Sequence, residues 1–478
     1  MTHPAPLPGR GAPLDREELV RALDRAAGAR PIGGNTLAHH PDSAAALDAM
    51  VSAVSAARRW VHLENYIIRG DRTGRRFAAA LAERARAGVR VRVLYDAFGS
   101  LGTSRRMWRD LRQAGAEVRA FHPLLSTHPF EAVTRDHRKL LVTDGTVAIM
   151  GGLCIGDEWA GDPERGRAPW RDTMVTVRGP GAAALDRAFA RVWRLAGPSL
   201  PPDELSVDPP PVGDATVRIV EGEPGAGRIY RTVQIIAAAA IERLWITDAY
   251  LVAPPAVFAS LVDAARDGVD IRLLVPGTSD LPVLRNLTRA GYRDLLRAGI
   301  RVFEWRGPML HAKTMLADRS WGRVGSSNLN VSSLLTNYEL DVVATDPALC
   351  DALAAQFRRD LAHSNEIVLR PRMRLRPSRL VGTPADPDQP PPARVPLRKR
   401  SRYELGVTAV VALRRVAGGL RRTMAATATV TLLTIGALLL IFPRVMSIVA
   451  AAVALWLAVG FGLYWFQQRH SPEADGGS

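Results

Sequence analysis

Lysine is almost missing from this chain. Three lysines stand among 478 residues, and arginine supplies the rest of the 63 basic side chains. Cysteine is nearly as scarce, with only Cys154 and Cys350, far apart in sequence. That excludes a disulfide framework and suits a reducing compartment. Neither cysteine sits with histidines at zinc-site spacing, so no metal and no other cofactor is expected. The N-terminus lacks the charged n-region and apolar h-region of a secretory signal. Charge is absent from two long runs near the end, 424–442 (19 residues) and 445–466 (22 residues).

Two of the three lysines occupy twin copies of one motif, His137-Arg138-Lys139 through Asp144 and His311-Ala312-Lys313 through Asp318. Both read H-x-K-x4-D, 174 residues apart. One such match would carry little weight, but two in a lysine-poor chain argue that an ammonium is needed there. An ammonium is a compact point charge, whereas a guanidinium is a wide planar fork.

The surroundings of the motifs repeat as well. Helical spacing at 44–57, 75–87 and 107–114 alternates with strand-like runs at 60–68, 89–95, 117–121, 139–142 and 147–150. The second half follows the same order, with helices at 229–240, 255–267 and 284–298 and strands at 244–250, 270–275 and 301–305. Ala87-Gly88-Val89-Arg90 answers to Asp267-Gly268-Val269-Asp270, and Ala114-Gly115-Ala116-Glu117 to Ala298-Gly299-Ile300-Arg301. This is an internal duplication of α/β units. The expected organisation is an irregular segment over 1–35 (with a short helix at 16–27), one lobe over 36–199, a Pro-rich linker over 200–212 and a second lobe over 213–372. A Pro-rich then basic linker covers 373–423, and a polar tail covers 467–478.

The net charge of +16 is concentrated. Arg394 to Arg422 hold nine Arg/Lys against one acid, Glu404, or half of the total. A basic block beside apolar runs suggests an anionic membrane surface, with nucleic acid as the competing polyanion. Each apolar run can cross about 30 Å of hydrocarbon, so a transmembrane hairpin is expected. The excess of arginine before it places the rest of the chain on the cytoplasmic side.

One H-x-K is half a site. Strand geometry would put its His and Lys on one face, and pseudo-symmetry would bring two imidazoles and two ammoniums together. That set suits a phosphodiester. The ammoniums neutralise oxygens, one imidazole attacks phosphorus, and the other moves the proton. Each imidazole needs a carboxylate to fix its tautomer. Glu339 after the second motif and Asp172 after the first are the candidates. Asp144 and Asp318 close their motifs before turns, where they could instead bind backbone.

With these motifs the chain resembles the phospholipase D superfamily, most closely its bacterial cardiolipin synthase branch. His137 through Gly145, Gly151 through Trp159, Met309 through Thr314 and Gly325-Ser326-Ser327-Asn328-Leu329-Asn330 carry the likeness, which runs from about Trp60 to about Arg370. The resemblance implies two pseudo-symmetric α/β/α-sandwich lobes plus the C-terminal hairpin. It implies catalytic His137, Lys139, Asp144, His311, Lys313 and Asp318, supporting Asp172 and Glu339, and phosphate-binding Asn328 and Ser326. His137 would be the nucleophile and His311 the acid/base. The implied activity is a phosphatidyltransferase joining two phosphatidylglycerols into cardiolipin in a bacterial cell membrane. Hydrolysis to phosphatidic acid uses the same residues and is the alternative. A nucleic-acid phosphodiesterase is less favoured, and no nucleic acid partner is expected. The chain departs from the family in three places. Cys154 stands where an Asn is usual, Asp248 where a smaller residue is common, and the apolar spans follow rather than precede the lobes.

Overall fold

The computed structural model describes residues 16–123, 134–205, 209–369 and 393–396, which fall within one folding unit. The apolar runs 424–442 and 445–466 and the basic block from residue 397 lie outside the described residues. Among the described residues, no helix is long and apolar enough to cross a membrane.

The first half contains β1 (Ile32–His40), α2 (Ser43–Ala56), β2 (Trp60–Asn65), α3 (Arg72–Arg86), β3 (Arg90–Asp96), α4 (Arg105–Gln113) and β4 (Glu117–Phe121). It continues through β5 (Lys139–Thr143), β6 (Val147–Gly151), the single turn α5 (Asp157–Ala160), β7 (Met174–Arg178) and α6 (Pro180–Trp193). The second half repeats the order as β8 (Ala215–Gly222), α7 (Arg228–Ala239), β9 (Arg243–Thr247), α8 (Pro255–Arg266), β10 (Asp270–Pro276), α9 (Pro282–Arg297) and β11 (Arg301–Trp305). Then come β12 (Thr314–Ala317), β13 (Trp321–Gly325), β14 (Glu339–Thr345), α10 (Pro347–Ala362) and β15 (Ser364–Val368).

The halves are not separate sheets. All strands join one mixed sheet in the order β15-β11-β10-β9-β12-β13-β14-β8-β1-β7-β6-β5-β2-β3-β4, so the second half is the first read outward from a central seam. The seam is the antiparallel β1–β8 pair. Asn35 clamps it, donating from Nδ2 to Ala215 O (3.1 Å) and accepting Gly181 N at Oδ1 (2.7 Å). The parallel triplets β2-β3-β4 and β9-β10-β11 lie away from the seam, with β15 added antiparallel outside β11, and the strands between each triplet and the seam are antiparallel.

Side chains alternate between two cores, as period-2 strands require. Val61, Leu63, Val91, Val93 and Leu141 face α2, α3 and α4, while Leu140, Val142 and Met150 face α6. In the second half Leu244, Ile246, Ile271 and Leu273 face α7, α8 and α9, and Trp245, Leu274 and Leu316 face α10. Each fully buried Val or Leu contributes about 1.5–3 kcal/mol.

Three local expectations change. The helix over 16–27 is present as α1 (Arg16–Ala27), and Leu23 and Ala27 pack into the second half's core; a strand from Ile32 then begins inside the stretch read as irregular. The Pro-rich linker is pinned rather than free. Glu204 is fully buried and accepts from Arg92 Nε (3.0 Å). Part of the second Pro-rich stretch, β16 (Ala393–Pro396), adds a parallel strand to β15.

Candidate active site

The two H-x-K segments do not lie within strands. His137 sits two residues before β5, and His311 to Lys313 all precede β12. Backbone bridges between the halves hold them instead. Asp136 bridges Tyr338, with His137 N donating to Tyr338 O (2.9 Å) and Tyr338 N to Arg135 O (2.9 Å). Leu310 bridges Arg171 in the same way, with His311 N donating to Arg171 O (2.7 Å) and Arg171 N to Met309 O (2.9 Å). The residue after each bridge partner is a carboxylate, Glu339 or Asp172.

Each histidine is therefore paired with the acid of the opposite half. His137 Nδ1 lies 3.0 Å from both Glu339 oxygens, and His311 Nδ1 lies 2.7 Å from Asp172 Oδ2. Both carboxylates are buried, so Nδ1 carries the proton and donates it, leaving Nε2 as the free nitrogen. The carboxylates are held in turn. Ser326 Oγ donates to Glu339, and Trp159 Nε1 donates to Asp172 Oδ2 (3.2 Å). Gly152 leaves room for Asp172, since a Cβ there would meet Asp172 Oδ1 at 2.2 Å.

Lys139 and Lys313 are both fully buried, and each Nζ donates to the carbonyl of its own motif histidine. Lys313 Nζ also lies 2.8 Å from His311 Nδ1, but that nitrogen's proton goes to Asp172, so the ammonium bonds the carbonyl. Burial lowers Lys313 to about 8, partly offset by Asp172, with Lys139 lowering it further. Burial also lowers His137, against the raising effect of Glu339, and lowers His311 to about 4 with help from Lys313. Burial works to raise Asp172 and Glu339, yet the histidines and lysines hold both below their ordinary range. Both carboxylates are thus charged, and both imidazoles are neutral bases.

Aromatic rings wall the pair. Tyr66 lies edge-on to His137 (4.9 Å between centroids), while Trp159 (5.5 Å), Trp170 (5.8 Å) and Tyr250 (6.0 Å) surround His311. Sequence reasoning missed these walls, and only the placement of Tyr66 and Tyr250 just beyond β2 and β9 could have signalled them. Asn328 is buried, and its Oδ1 has no hydrogen-bond partner among the described residues. Cys154 occupies the equivalent place in the first half. Burial raises its thiol, and the charges of Lys139 and Lys313 act on it in the opposite sense.

Three expected contacts belong elsewhere. The hydroxyl of Ser326, expected at the phosphate, donates to Glu339 and accepts from Leu340 N (2.9 Å). Asp144 lies beyond the far end of β5, about 17 Å along the strand from Lys139. Its carboxylate accepts Arg58 N (3.0 Å), Arg59 N (2.7 Å) and Trp60 N (3.0 Å). Asp318 does the same for Ile241 N, Glu242 N and Arg243 N at 3.2, 2.8 and 3.1 Å. Both aspartates have positive φ (54° and 51°), which Asp tolerates in turns. They pin the starts of β2 and β9 rather than touching the reacting groups. Asp248, flagged as a departure, accepts Leu329 N (2.7 Å) and Tyr250 N (2.9 Å), and burial raises it to about 6. Among the described residues, no group of three or more His, Cys, Asp or Glu side chains is placed to hold a metal ion.

Residues 50–159 and 232–361 match the family described as the PLD-like domain of cardiolipin synthase. The chain belongs to that family. The match includes both histidines, both lysines, Glu339 and the Asp136–Tyr338 bridge, but neither Arg171 nor Asp172. The family's cardiolipin synthase A of Pseudomonas aeruginosa is 35% identical over 353 residues, covering 73% of this chain and 71% of that one. Cardiolipin synthase A of Pseudomonas fluorescens is 34% identical, covering 68% of each chain. The fold is also that of phosphatidylserine synthase from Haemophilus influenzae, with a TM-score of 0.57 at 13% identity, covering 73% of this chain and 91% of that one. Family membership makes the protein a phosphatidyltransferase of the phospholipase D superfamily.

Proposed function

We propose that the protein transfers a phosphatidyl group through a phosphohistidine, joining two phosphatidylglycerols into cardiolipin and releasing glycerol. The observation that carries this reading is the crossed pairing of His137 with Glu339 and His311 with Asp172, beside two buried ammoniums. His137 Nε2 attacks phosphorus, forming a P–N bond as the P–O bond to glycerol breaks. Lys139 and Lys313 balance the charge that builds on the non-bridging oxygens. His311, which takes up a proton when the anionic diester binds beside it, gives that proton to the departing glycerol oxygen. It then removes a proton from the hydroxyl of a second phosphatidylglycerol, and that oxygen attacks phosphorus and breaks the P–N bond. Glu339 stabilises the charge on phosphorylated His137, and Asp172 that on protonated His311. Asn328 contributes a polar contact to the diester.

The relatives named cardiolipin synthase favour this acceptor over water. We place the enzyme at a bacterial cell membrane with its lobes on the cytoplasmic side, anchored by the 424–466 region, because two uncharged runs follow a basic block. The test is mass spectrometry of products from purified protein in phosphatidylglycerol vesicles with a chelator present. Cardiolipin plus free glycerol is expected. Phosphatidic acid alone would move the assignment to hydrolysis. No phospholipid turnover would overturn the reading and turn attention to other phosphodiesters.

A further inference from the structure

Both histidines are nearly buried, with 9% and 5% of their surface exposed, so a substrate must be brought to them head first. β3 and β10 hold equivalent places, parallel to β2 and β9. The loops that follow them leave at the sheet ends carrying Tyr66 and Tyr250. Each loop is tied to its tyrosine. Ser100 Oγ donates to Tyr66 O (3.2 Å), and Tyr250 OH donates to Asp280 Oδ1 (2.8 Å). Each tyrosine in turn stands against a histidine. The loops thus flank the mouth of the site, one from each half.

The two loops share only a Gly-Thr-Ser (102–104 and 277–279), and both segments expose large apolar side chains. Phe98 and Leu101 are 57% and 63% exposed in the first; Leu281 is 46% exposed at the end of the second, and Val283 is 70% exposed in the first turn of α9 that follows it. Single exposed apolar residues are ordinary, but a pair on each side of one opening is not. Arginines border them. Exposed Arg105, Arg106 and Arg109 follow Leu101, against the single acid Asp110. Half-buried Arg285 follows Val283, and its buried Nε has no hydrogen-bond partner among the described residues. An open groove of about 560 Å³ between α3 and α4 adjoins the first loop, with an apolar floor including Ala78 and Leu111 and a rim of Arg75, Arg86 and Arg106.

We infer that this face docks on an anionic phospholipid bilayer, the loop tips and the first turn of α9 inserting Phe98, Leu101, Leu281 and Val283 while the arginines meet lipid phosphates. Apolar tips within a basic rim are the chemistry of an interfacial surface. The inference rests on the phospholipid reading above and deepens it. A headgroup can rise from the bilayer to the histidines while its acyl chains stay in lipid.

The first test uses the full chain with an environment-sensitive fluorophore on Leu101→Cys, Val283→Cys or Ile241→Cys. The native Cys154 and Cys350 are buried, so labelling is selective. Ile241 is 74% exposed but precedes β9, at the end opposite the mouth. In phosphatidylglycerol vesicles the labels at 101 and 283 should shift to the blue, and the label at 241 should not. Equal responses at all three positions would overturn the inference. The second test uses Leu101→Asp with Val283→Asp. Turnover of vesicle phosphatidylglycerol should fall about tenfold or more, while turnover of a dispersed short-chain phosphatidylglycerol stays within about twofold. Equal losses on both substrates, or none on either, would also overturn it. If the unaltered protein turns over neither form, the phospholipid reading fails, and the fluorophores still decide whether this face docks.

Discussion

Replacing Glu339 with Gln tests the crossed pairing most directly. The change keeps the volume of a fully buried side chain and removes only its charge. Both Glu339 oxygens lie 3.0 Å from His137 Nδ1, and Ser326 holds the carboxylate in place. In the proposed mechanism the ring of phosphorylated His137 is cationic, and the carboxylate is its counter-charge. Losing a comparable carboxylate from a histidine pair costs up to about 10⁴ in kcat. The two lysines, which oppose positive charge on the ring, make the carboxylate no less necessary. The expected loss in kcat is therefore about 10²–10⁴, or about 3–5 kcal/mol in the barrier. Initial rates on phosphatidylglycerol vesicles would measure it, with circular dichroism to confirm the fold. Activity within about threefold of the unaltered protein would refute the counter-charge argument. A histidine-selective NMR titration separates the halves. Glu339 raises His137, so Glu339→Gln should lower the pKa of His137 and leave His311 in place. A shift at His311 instead would refute the crossing.

Other perturbations follow from the same geometry. Lys139→Arg should lower kcat about 100-fold or more, because a planar fork replaces a point charge in a site with no exposed space; near-normal turnover would show that only the charge matters. In the proposed role Lys313 binds phosphate when protonated; burial lowers it to about 8, so the charged form is present below that pH and kcat/KM should fall as pH rises through it. A flat profile from pH 7 to 9.5 would contradict the role. Asp144→Ala removes an acceptor of three backbone amides at a positive φ and should cost about 2–3 kcal/mol of stability in denaturant titrations, with kcat of the folded fraction retained. Deleting residues 423–478 should release the protein from membranes, read by sedimentation in high salt; continued binding would mean that the apolar runs are not the main anchor.

Much of the fold was legible because it is repeated. The strand patterns at 117–121 and 301–305 coincide with β4 and β11, since each is a short run holding a Val and an aromatic residue that follows a helix ended by a Gly turn. The strands nearest the seam were not legible. β1 carries Gly33, Gly34 and two histidines, and β8 pairs with it across a register shift, so neither shows a clean alternation. At the site, residue identities could be read and partnerships could not. Spacing placed Glu339 and Asp172 near their own motifs, but pairing depends on the bridges Asp136–Tyr338 and Arg171–Leu310, which join residues far apart in sequence. Motif membership was misleading for Asp144 and Asp318, whose carboxylates serve the backbone of distant strand starts.

The crossed pairing also bears on how such a molecule can arise and be taken apart. A single half holds an imidazole without its counter-ion and a carboxylate with no base to orient. It is chemically incomplete however well it folds. One repeat could reach the same arrangement only by docking against a copy of itself, both histidines then serving one shared opening. The present chain is such a self-complementary pair written end to end. Once the copies were joined they were free to diverge, and Asn328 at the position equivalent to Cys154 is a trace of that freedom. Two fragments divided between the halves should each be inert, and mixing them should restore turnover in proportion to the docked fraction.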